Sequence, residues 1–385
     1  MGGVPGEDGT GRTAREASSP GRAAGARQVV VVGAGPAGAT AARCAARAGA
    51  EVLLVDRRAV VGRPVECAGF LPAEDELRAM LPGVPDQSEI FHMPEQFTLD
   101  RTEETVIVSP SGRREVLAFK GITINRAVWD AHNVDLAVEA GAEFRPSTGA
   151  TGYENGILTT ERGVYSPTVL VAADGPRSRM RRLAGLPDPR LIAPAINADA
   201  RIKHEGRVEM HFCREAPGGY AWVIPAGDGR AHVGLGADPR RGTGGLRDAL
   251  ERFARRVGAE LGEVTAGAVP SAGPVARTVA GNVMLAGDAA GHVMASNGGG
   301  VPIALAAGRA AGEVAAAVVG GRARVEDYER RWRAEVGEVL EVAARIRWMA
   351  GIPFRWPMLL DMVMWAMPRW EMARALRCQR MLGVW

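Results

Sequence analysis

The stretch Gln28-Val29-Val30-Val31-Val32-Gly33-Ala34-Gly35-Pro36-Ala37-Gly38 is an apolar run that ends in a glycine-rich turn. A short apolar run closed by glycines reads as a parallel strand buried on both faces. The alanine-rich segment Pro36–Ala48 reads as a helix, and Glu51–Val55 as a second buried strand closed by Asp56. The three form one βαβ unit. Gly33 permits the tight turn, Gly35 lets the backbone approach a pyrophosphate, and Gly38 lets helix and strand pack closely. The helix start turns its partial positive charge toward the phosphates. Asp56 stands 18 residues beyond Gly38, where a carboxylate can accept hydrogen bonds from a ribose diol. The competing reading is a plain βα turn; strand, helix and acid standing in register favour the nucleotide. By itself the unit does not separate FAD from NAD.

The rest of the chain falls around this unit. Residues 57–90 read as loop with a short helix near Glu74–Met80, and 96–119 as an antiparallel hairpin about a Ser-Pro-Ser-Gly turn. A helix over Arg126–Ala140 precedes strand pieces that end at Val169–Ala172 and Asp174-Gly175. Residues 196–237 read as a second antiparallel sheet that includes a hairpin, Tyr220–Pro225 with Ala231–Leu235. A helix over Gly244–Val257 and a buried strand over Asn282–Ala286 follow. Helices then dominate: Val301–Val319, Val325–Met349, and broken ones from Trp356 onward.

Composition narrows the function classes. The chain has 385 residues, 46% of them hydrophobic, which allows two packed domains. A net charge of +3 gives no argument for nucleic acid as a partner. Cys44, Cys67, Cys213 and Cys378 show no CxxC or His pairing, so neither a zinc site nor a disulfide framework is indicated. That points to a reducing, cytoplasmic setting. Residues 1–27 lack an apolar core for a signal peptide and read as a disordered extension. No strongly apolar stretch reads as long enough to span a bilayer.

A second motif settles the nucleotide. Leu285-Ala286-Gly287-Asp288-Ala289-Ala290-Gly291 ends a strand in Gly-Asp, which sets a carboxylate beside a second ribose or a ribityl chain. The helix that starts near Gly300 aims its N-terminus at a flavin ring and favours the anionic reduced form. Paired with the first loop, this motif reads as FAD-binding rather than as an N-capping Asp in a glycine-rich loop.

With Ala173-Asp174-Gly175-Pro176-Arg177-Ser178 added, the chain resembles the glutathione-reductase-like flavoproteins of hydroxylase-type architecture. Within that group it most resembles the geranylgeranyl reductase family, especially the archaeal digeranylgeranylglycerophospholipid reductases. The residues that carry this are Pro64-Val65-Glu66-Cys67-Ala68-Gly69, Tyr220-Ala221-Trp222-Val223-Ile224-Pro225 and Gly298-Gly299-Gly300-Val301, and the resemblance spans about residues 28–345. It implies an α/β fold with α+β elements: a Rossmann FAD domain, an antiparallel-sheet substrate domain and C-terminal helices. It implies FAD contacts at Ala37, Asp56, Cys67, Ala68, Arg126, Ala150, Asp288, Gly300 and Val301. Arg126 also suits pairing with a pyrophosphate, the alternative being a solvated arginine at a helix start. Two departures fall where substrate is expected: Ala68-Gly69-Phe70 replaces the family's Gly-Glu after the cysteine, and Ile224 and Ala226 replace Phe and Lys.

The division expected is 28–95, 120–190 and 270–320 for the FAD domain, 96–119 and 191–269 for the substrate domain, and 321–385 for the helices. Cys67 and Tyr220 are the candidates for a proton donor; the alternative for Cys67 is a small buried hydrophobe. Tyr220 and Trp222 project from one face of the sheet, as cavity lining for substrate or as half-buried core aromatics. Six of eight Trp and seven of fourteen Met fall between Trp332 and Trp385, interleaved with Arg345, Arg347, Arg355, Arg369 and Arg374. Those helices read either as a cover on a lipid tunnel with peripheral contact on the inner membrane face, or as an ordinary buried lid.

The resulting expectation is an FAD-dependent oxidoreductase of lipid and phospholipid biosynthesis that reduces geranylgeranyl C=C bonds to phytanyl chains. Its electron donor would be ferredoxin, a reduced deazaflavin or NAD(P)H. The rivals are a reductase of a chlorophyll or menaquinone side chain, an NAD(P)H-dependent aromatic hydroxylase, and a non-catalytic prenyl-binding escort. The escort reading is disfavoured by the intact Gly287-Asp288.

Overall fold

The structure, a computed structural model, describes residues 25–242 and 244–382. Most of the expected N-terminal extension, residues 1–24, lies outside the described residues. Its last three residues already belong to the first strand, Gly25–Val32, and pair with Tyr165–Pro167.

Two eight-stranded sheets are found among the described residues. The parallel part of the first runs in the order Val283–Leu285, Gly163–Ala172, Gly25–Val32, Val52–Val55 and Glu143–Arg145. Its centre explains the run of valines. Val29 and Val31 turn to one side, toward the helices Pro36–Arg47 and Val301–Val319, while Val30 and Val32 turn to the other, toward Met180 and Val275. A strand covered on both faces needs apolar residues at every position, and each buried valine is worth about 1.5–3 kcal/mol.

The two covering helices meet backbone to backbone. Gly308 and Gly312 share one helix face, and a Cβ at either would stand 2.3 Å from the carbonyl oxygen of Ala37 or Ala41. This contact locks the first glycine loop to the helix that follows the second. Val301–Val319 is, by length and composition, apolar enough to cross a membrane, contrary to the expectation from the sequence. It is a core helix instead: 83% of its most apolar window is buried, and it carries Arg309 paired with Glu335 at 2.8 Å.

The second sheet runs in the order Glu260–Pro270, Ile192–Arg201, Arg230–Gly236, Tyr220–Pro225, Val208–His211, Thr98–Val108, Arg114–Ile124 and Phe70–Pro72. Two of its pieces cross the division expected from the sequence. The hairpin continues past residue 119 to Ile124, and Phe70–Pro72 adds an edge strand to it. The Phe70 ring occupies the space where a Cβ on Gly121 would be, 2.2 Å away. A three-residue strand has no periodicity of its own and exists only through this partner. Glu260–Pro270 is a further strand that the sequence reading left unassigned.

The C-terminal helices divide into two kinds. Asp327–Trp332, a π turn over Arg333–Gly337 and Glu338–Ala350 follow one another without a break, along the helix expected over Val325–Met349. Their start is core: Tyr328 donates to the Leu285 carbonyl at 2.7 Å and Trp332 Nε1 to Thr278 Oγ1 at 2.9 Å. The helix Pro357–Ala366, by contrast, has no buried residue.

Candidate functional site

The first glycine loop closes on the neighbouring strand. Gly33 has φ +104°, and a Cβ there would lie 2.3 Å from the Ala173 carbonyl oxygen; a Cβ on Gly38 would lie 1.8 Å from that of Gly33. Only glycine fits either place. Gly35 differs, since a Cβ on it would meet nothing within 4 Å. It is the cap of Pro36–Arg47 and offers no side-chain hydrogen bond, so the amides of the first turn, Ala37 among them, are open to an anion. Asp56 ties this loop to the second strand. Its Oδ2 accepts from Ala34 N at 2.6 Å and its Oδ1 from Arg58 N at 2.7 Å. Thr148 N donates to the Asp56 carbonyl at 2.7 Å, which brings the strand Ala150–Glu154 to the same end of the sheet.

The second motif forms a turn, Gly287–Ala290, whose Gly287 has φ +62°. Asp288 lies beside the next helix start, its Oδ1 3.5 Å from where a Cβ on Gly300 would stand. Gly300 caps Val301–Val319 without a side-chain bond, and Val301 and Pro302 open the helix. No group among the described residues donates a hydrogen bond to the Asp288 carboxylate, and desolvation pushes its pKa up to about 6; Arg126 works against that rise and Glu66 adds to it. A carboxylate in a cleft without a donor is suited to the hydroxyls of a ligand.

Arg126 is held within its own helix: its Nε and Nη2 donate to Asp130 at 2.8 and 2.9 Å, one helical turn on. Burial opposes its charge, but Asp130 and then Cys67 outweigh that and hold the guanidinium above its ordinary pKa. Arg126 thus stands as a fixed, paired cation between Cys67 and Asp288. Cys67 is half-buried in the turn with Ala68 and Gly69, and its Sγ accepts from Gly69 N at 3.4 Å.

Tyr220 and Trp222 face the cleft side of the second sheet, while Ala221 and Val223 enter the core about Phe253. The two rings meet edge to face at 5.9 Å. Trp222 lies across Gly234 and donates from Nε1 to Asn197 Oδ1 at 3.0 Å. The Tyr220 hydroxyl donates to the Asn297 carbonyl, and burial, with Cys67 and Cys378 adding to it, holds this phenol above its ordinary pKa. Tyr220 therefore fastens the second sheet to the glycine-rich loop that leads into Gly300. A cavity of about 560 Å³ reaches the start of that helix at Val301, Pro302 and Leu305; Leu71, Phe91 and Ile122 form its apolar wall, and charged residues that include Glu74, Asp75, Arg78 and Arg101 form the rest. Tyr220 and Trp222 do not line this cavity.

Several residues of the site were not legible beforehand. Asn297 accepts from Tyr220 through its carbonyl and from Gly299 N through Oδ1 at 3.0 Å, and its Nδ2 donates to the Leu376 carbonyl at 3.0 Å. The buried Arg181 supports the Gly-Asp turn by donating to the Ala289 carbonyl at 3.0 Å. His292 is fully buried against Trp332, and neither ring nitrogen has a hydrogen-bond partner among the described residues. Asp130 alone carried a sequence signal, its i,i+4 spacing from Arg126.

Comparison with known proteins places this arrangement. Residues 27–124 match the pyridine nucleotide-disulphide oxidoreductase family. The chain is 36% identical over 347 residues to digeranylgeranylglycerophospholipid reductase 1 of Methanopyrus kandleri, covering 83% of this chain and 89% of that one. It is 35% identical to digeranylgeranylglycerophospholipid reductase 2 of Methanothermobacter thermautotrophicus, with 83% and 86% covered. Among solved structures, a geranylgeranyl bacteriochlorophyll reductase-like protein of Thermoplasma acidophilum superposes with a TM-score of 0.77 at 24% identity, covering 94% of each chain. A flavin-dependent brominase superposes with a TM-score of 0.68 at 18% identity, covering 94% of this chain and 96% of the other. At these identities the two structures speak for the fold.

Proposed function

The chain belongs to the digeranylgeranylglycerophospholipid reductase family, and from that premise we propose that it is an FAD-dependent reductase of the geranylgeranyl chains of archaeal glycerophospholipids. The observation that carries the reading is the 36% identity over 83% of the chain, joined to a cleft whose residues fit a flavin dinucleotide. That fit rests on the open space over Gly35, the two uncapped helix starts and the undonated Asp288 carboxylate.

In this reading the amides at Ala37 and Gly38 hold the pyrophosphate and Asp56 the adenosine ribose. Asp288 would take the ribityl hydroxyls, and Gly300, Val301, Cys67, Ala68 and Ala150 would complete the contacts. FAD bound here would supply, once reduced by two electrons from the external donor, a hydride for one carbon of an isolated alkene. The chain must then deliver a proton to the other carbon and keep the apolar substrate in place. Cys67 is the group we assign to that proton, because Arg126 stands ready to meet the negative charge that its loss leaves. Tyr220 already gives its proton to Asn297 and acts as a positioning residue. The apolar part of the cavity wall, at Leu71, Ile122, Val301 and Leu305, suits a segment of the chain.

A lipid of this kind resides in a bilayer, so the protein would work in the cytoplasm with peripheral contact on the inner membrane face. The test uses purified protein reduced with dithionite. Addition of the unsaturated lipid should restore the yellow flavin absorption, and mass spectrometry should find the lipid enriched in hydrogen. A reduced chromophore indifferent to that lipid would rule the substrate out. Mixing the oxidised protein with reduced ferredoxin, reduced deazaflavin or NAD(P)H separates the donors by rate.

A further inference from the structure

We propose that the exposed surface from Trp348 to Trp370 is a docking face for the headgroup layer of an anionic lipid bilayer. Trp348 and Met358 are each 79% exposed and Trp365 74%, whereas Trp332, a few turns earlier, is 1% exposed. Ile352, Trp356 and Met362 join them. Met358, Met362 and Trp365 fall on one face of the helix Pro357–Ala366, at i, i+4 and i+7. Elsewhere the exposed apolar residues, such as Val138 and Ile157, stand far apart in sequence and are ordinary. A cluster this dense marks an interaction site.

Charge and length select the partner. From Ala344 to Trp370 there are four arginines and one acid, Asp361. That acid is engaged by the hairpin turn, accepting from Ser111 N at 3.1 Å and Ser111 Oγ at 2.8 Å. Of the four, Arg347 and Arg369 pair with Asp238 and Glu115 at 3.4 and 2.9 Å, whereas the exposed Arg345 and Arg355 have no acidic partner among the described residues. Arg374 lies over the Trp370 ring at 5.2 Å, an arrangement suited to the headgroup level. A helix of ten residues is about 15 Å long, half of what the roughly 30 Å hydrocarbon layer requires, so it lies along the surface. A second copy of the chain fits less well, since a two-fold contact would set these arginines against each other.

The face also leads to the site. Phe354 stacks on Phe212 at 5.7 Å, and Phe212 stands 6.1 Å from Tyr220. Arg241 fixes the segment by donating to the Phe354 carbonyl and to that of Gly351. A lipid leaving the bilayer at this face meets an aromatic path toward the cleft. The surface serves the lipid reading above but is tested apart from it, with vesicles that contain no isoprenoid chain.

The experiment is flotation of the full chain with phosphatidylcholine vesicles, with and without about one third phosphatidylglycerol. The protein should float with the anionic vesicles, its Trp emission should shift to the blue, and high salt should weaken the binding. The variant Trp348→Ser/Met358→Ser/Trp365→Ser should partition at least roughly tenfold less, and Val138→Ser should bind as the parent does. Unchanged circular dichroism and chromophore content show that the triple variant is folded. Parent protein that stays with the soluble fraction, or a folded triple variant that floats equally well, overturns the proposal. So does a parent dimer that the triple variant splits in sedimentation velocity, which would give the face to a second copy. None of these outcomes depends on whether reduced flavin is reoxidised by isoprenoid lipid.

Discussion

Arg126 and Asp130 form a two-pronged ion pair, Nε to Oδ1 at 2.8 Å and Nη2 to Oδ2 at 2.9 Å, on consecutive turns of one helix. Both side chains are about one-tenth exposed. Breaking one side of such a buried pair costs about 3–5 kcal/mol. Asp130→Asn should therefore lower urea stability by roughly 3 kcal/mol. It should also weaken FAD binding to the apoprotein, because the freed guanidinium no longer holds its place beside Asp288. Arg126→Lys should not rescue either property, since an ammonium cannot make the fork. Denaturation curves and flavin fluorescence titration check both, and an Asp130→Asn protein that binds FAD as tightly as the parent would remove Asp130 from the site.

Gly308 and Gly312 carry the contact between the two glycine-led helices. Gly308→Ala or Gly312→Ala places a methyl group 2.3 Å from a backbone carbonyl oxygen, and backbone cannot yield as a side chain does. Each substitution should cost about 1–3 kcal/mol, and the double variant should retain little flavin after purification. Thermal melts and the visible spectrum report the two effects separately.

His292 predicts a pH dependence with a definite sign. Burial, and then Arg333, push its pKa down to about 3 from the ordinary 6.5. The folded chain keeps the ring neutral while the unfolded chain takes up a proton below 6.5. Stability is thus present above that pH and is lost as pH falls toward 3, by at most about 1.4 kcal/mol per pH unit. Both ring nitrogens lack partners among the described residues, so His292→Phe should keep the contact with Trp332 and remove the slope. Urea midpoints at pH 7, 6 and 5 measure this; a variant that loses acid stability as fast as the parent would assign the slope elsewhere.

Cys67 and Tyr220 should separate kinetically. If Cys67 supplies the proton, Cys67→Ala slows lipid-driven flavin reoxidation by roughly 10²-fold or more. Tyr220→Phe removes one hydrogen bond, costs about 1 kcal/mol of stability and leaves the reoxidation rate within about tenfold. The reverse order in stopped-flow traces would make Tyr220 the donor.

Much of this was readable from local pattern. Gly33, Gly35 and Gly38 between two buried strands, and Gly287-Asp288 before a helix, are spacings that act over a few residues. Backbone sterics and helix starts enforce them wherever the chain goes. The division of the C-terminal region was not readable, because Trp332 and Trp348 are the same residue type at helical positions. One meets Thr278 and the core, the other meets solvent, and composition carries no trace of that choice.

The sequence by itself determined the βαβ unit, the second glycine-aspartate turn and the long apolar helix from Val301, since each rests on periodicity and turn chemistry within a short window. Tertiary structure alone decided what those pieces touch. It laid Gly308 on Ala37, gave the Tyr220 proton to Asn297 across 77 residues, and recruited Phe70–Pro72 to the far sheet. Such contacts join distant segments, and their energy exists only once burial has excluded water from both partners.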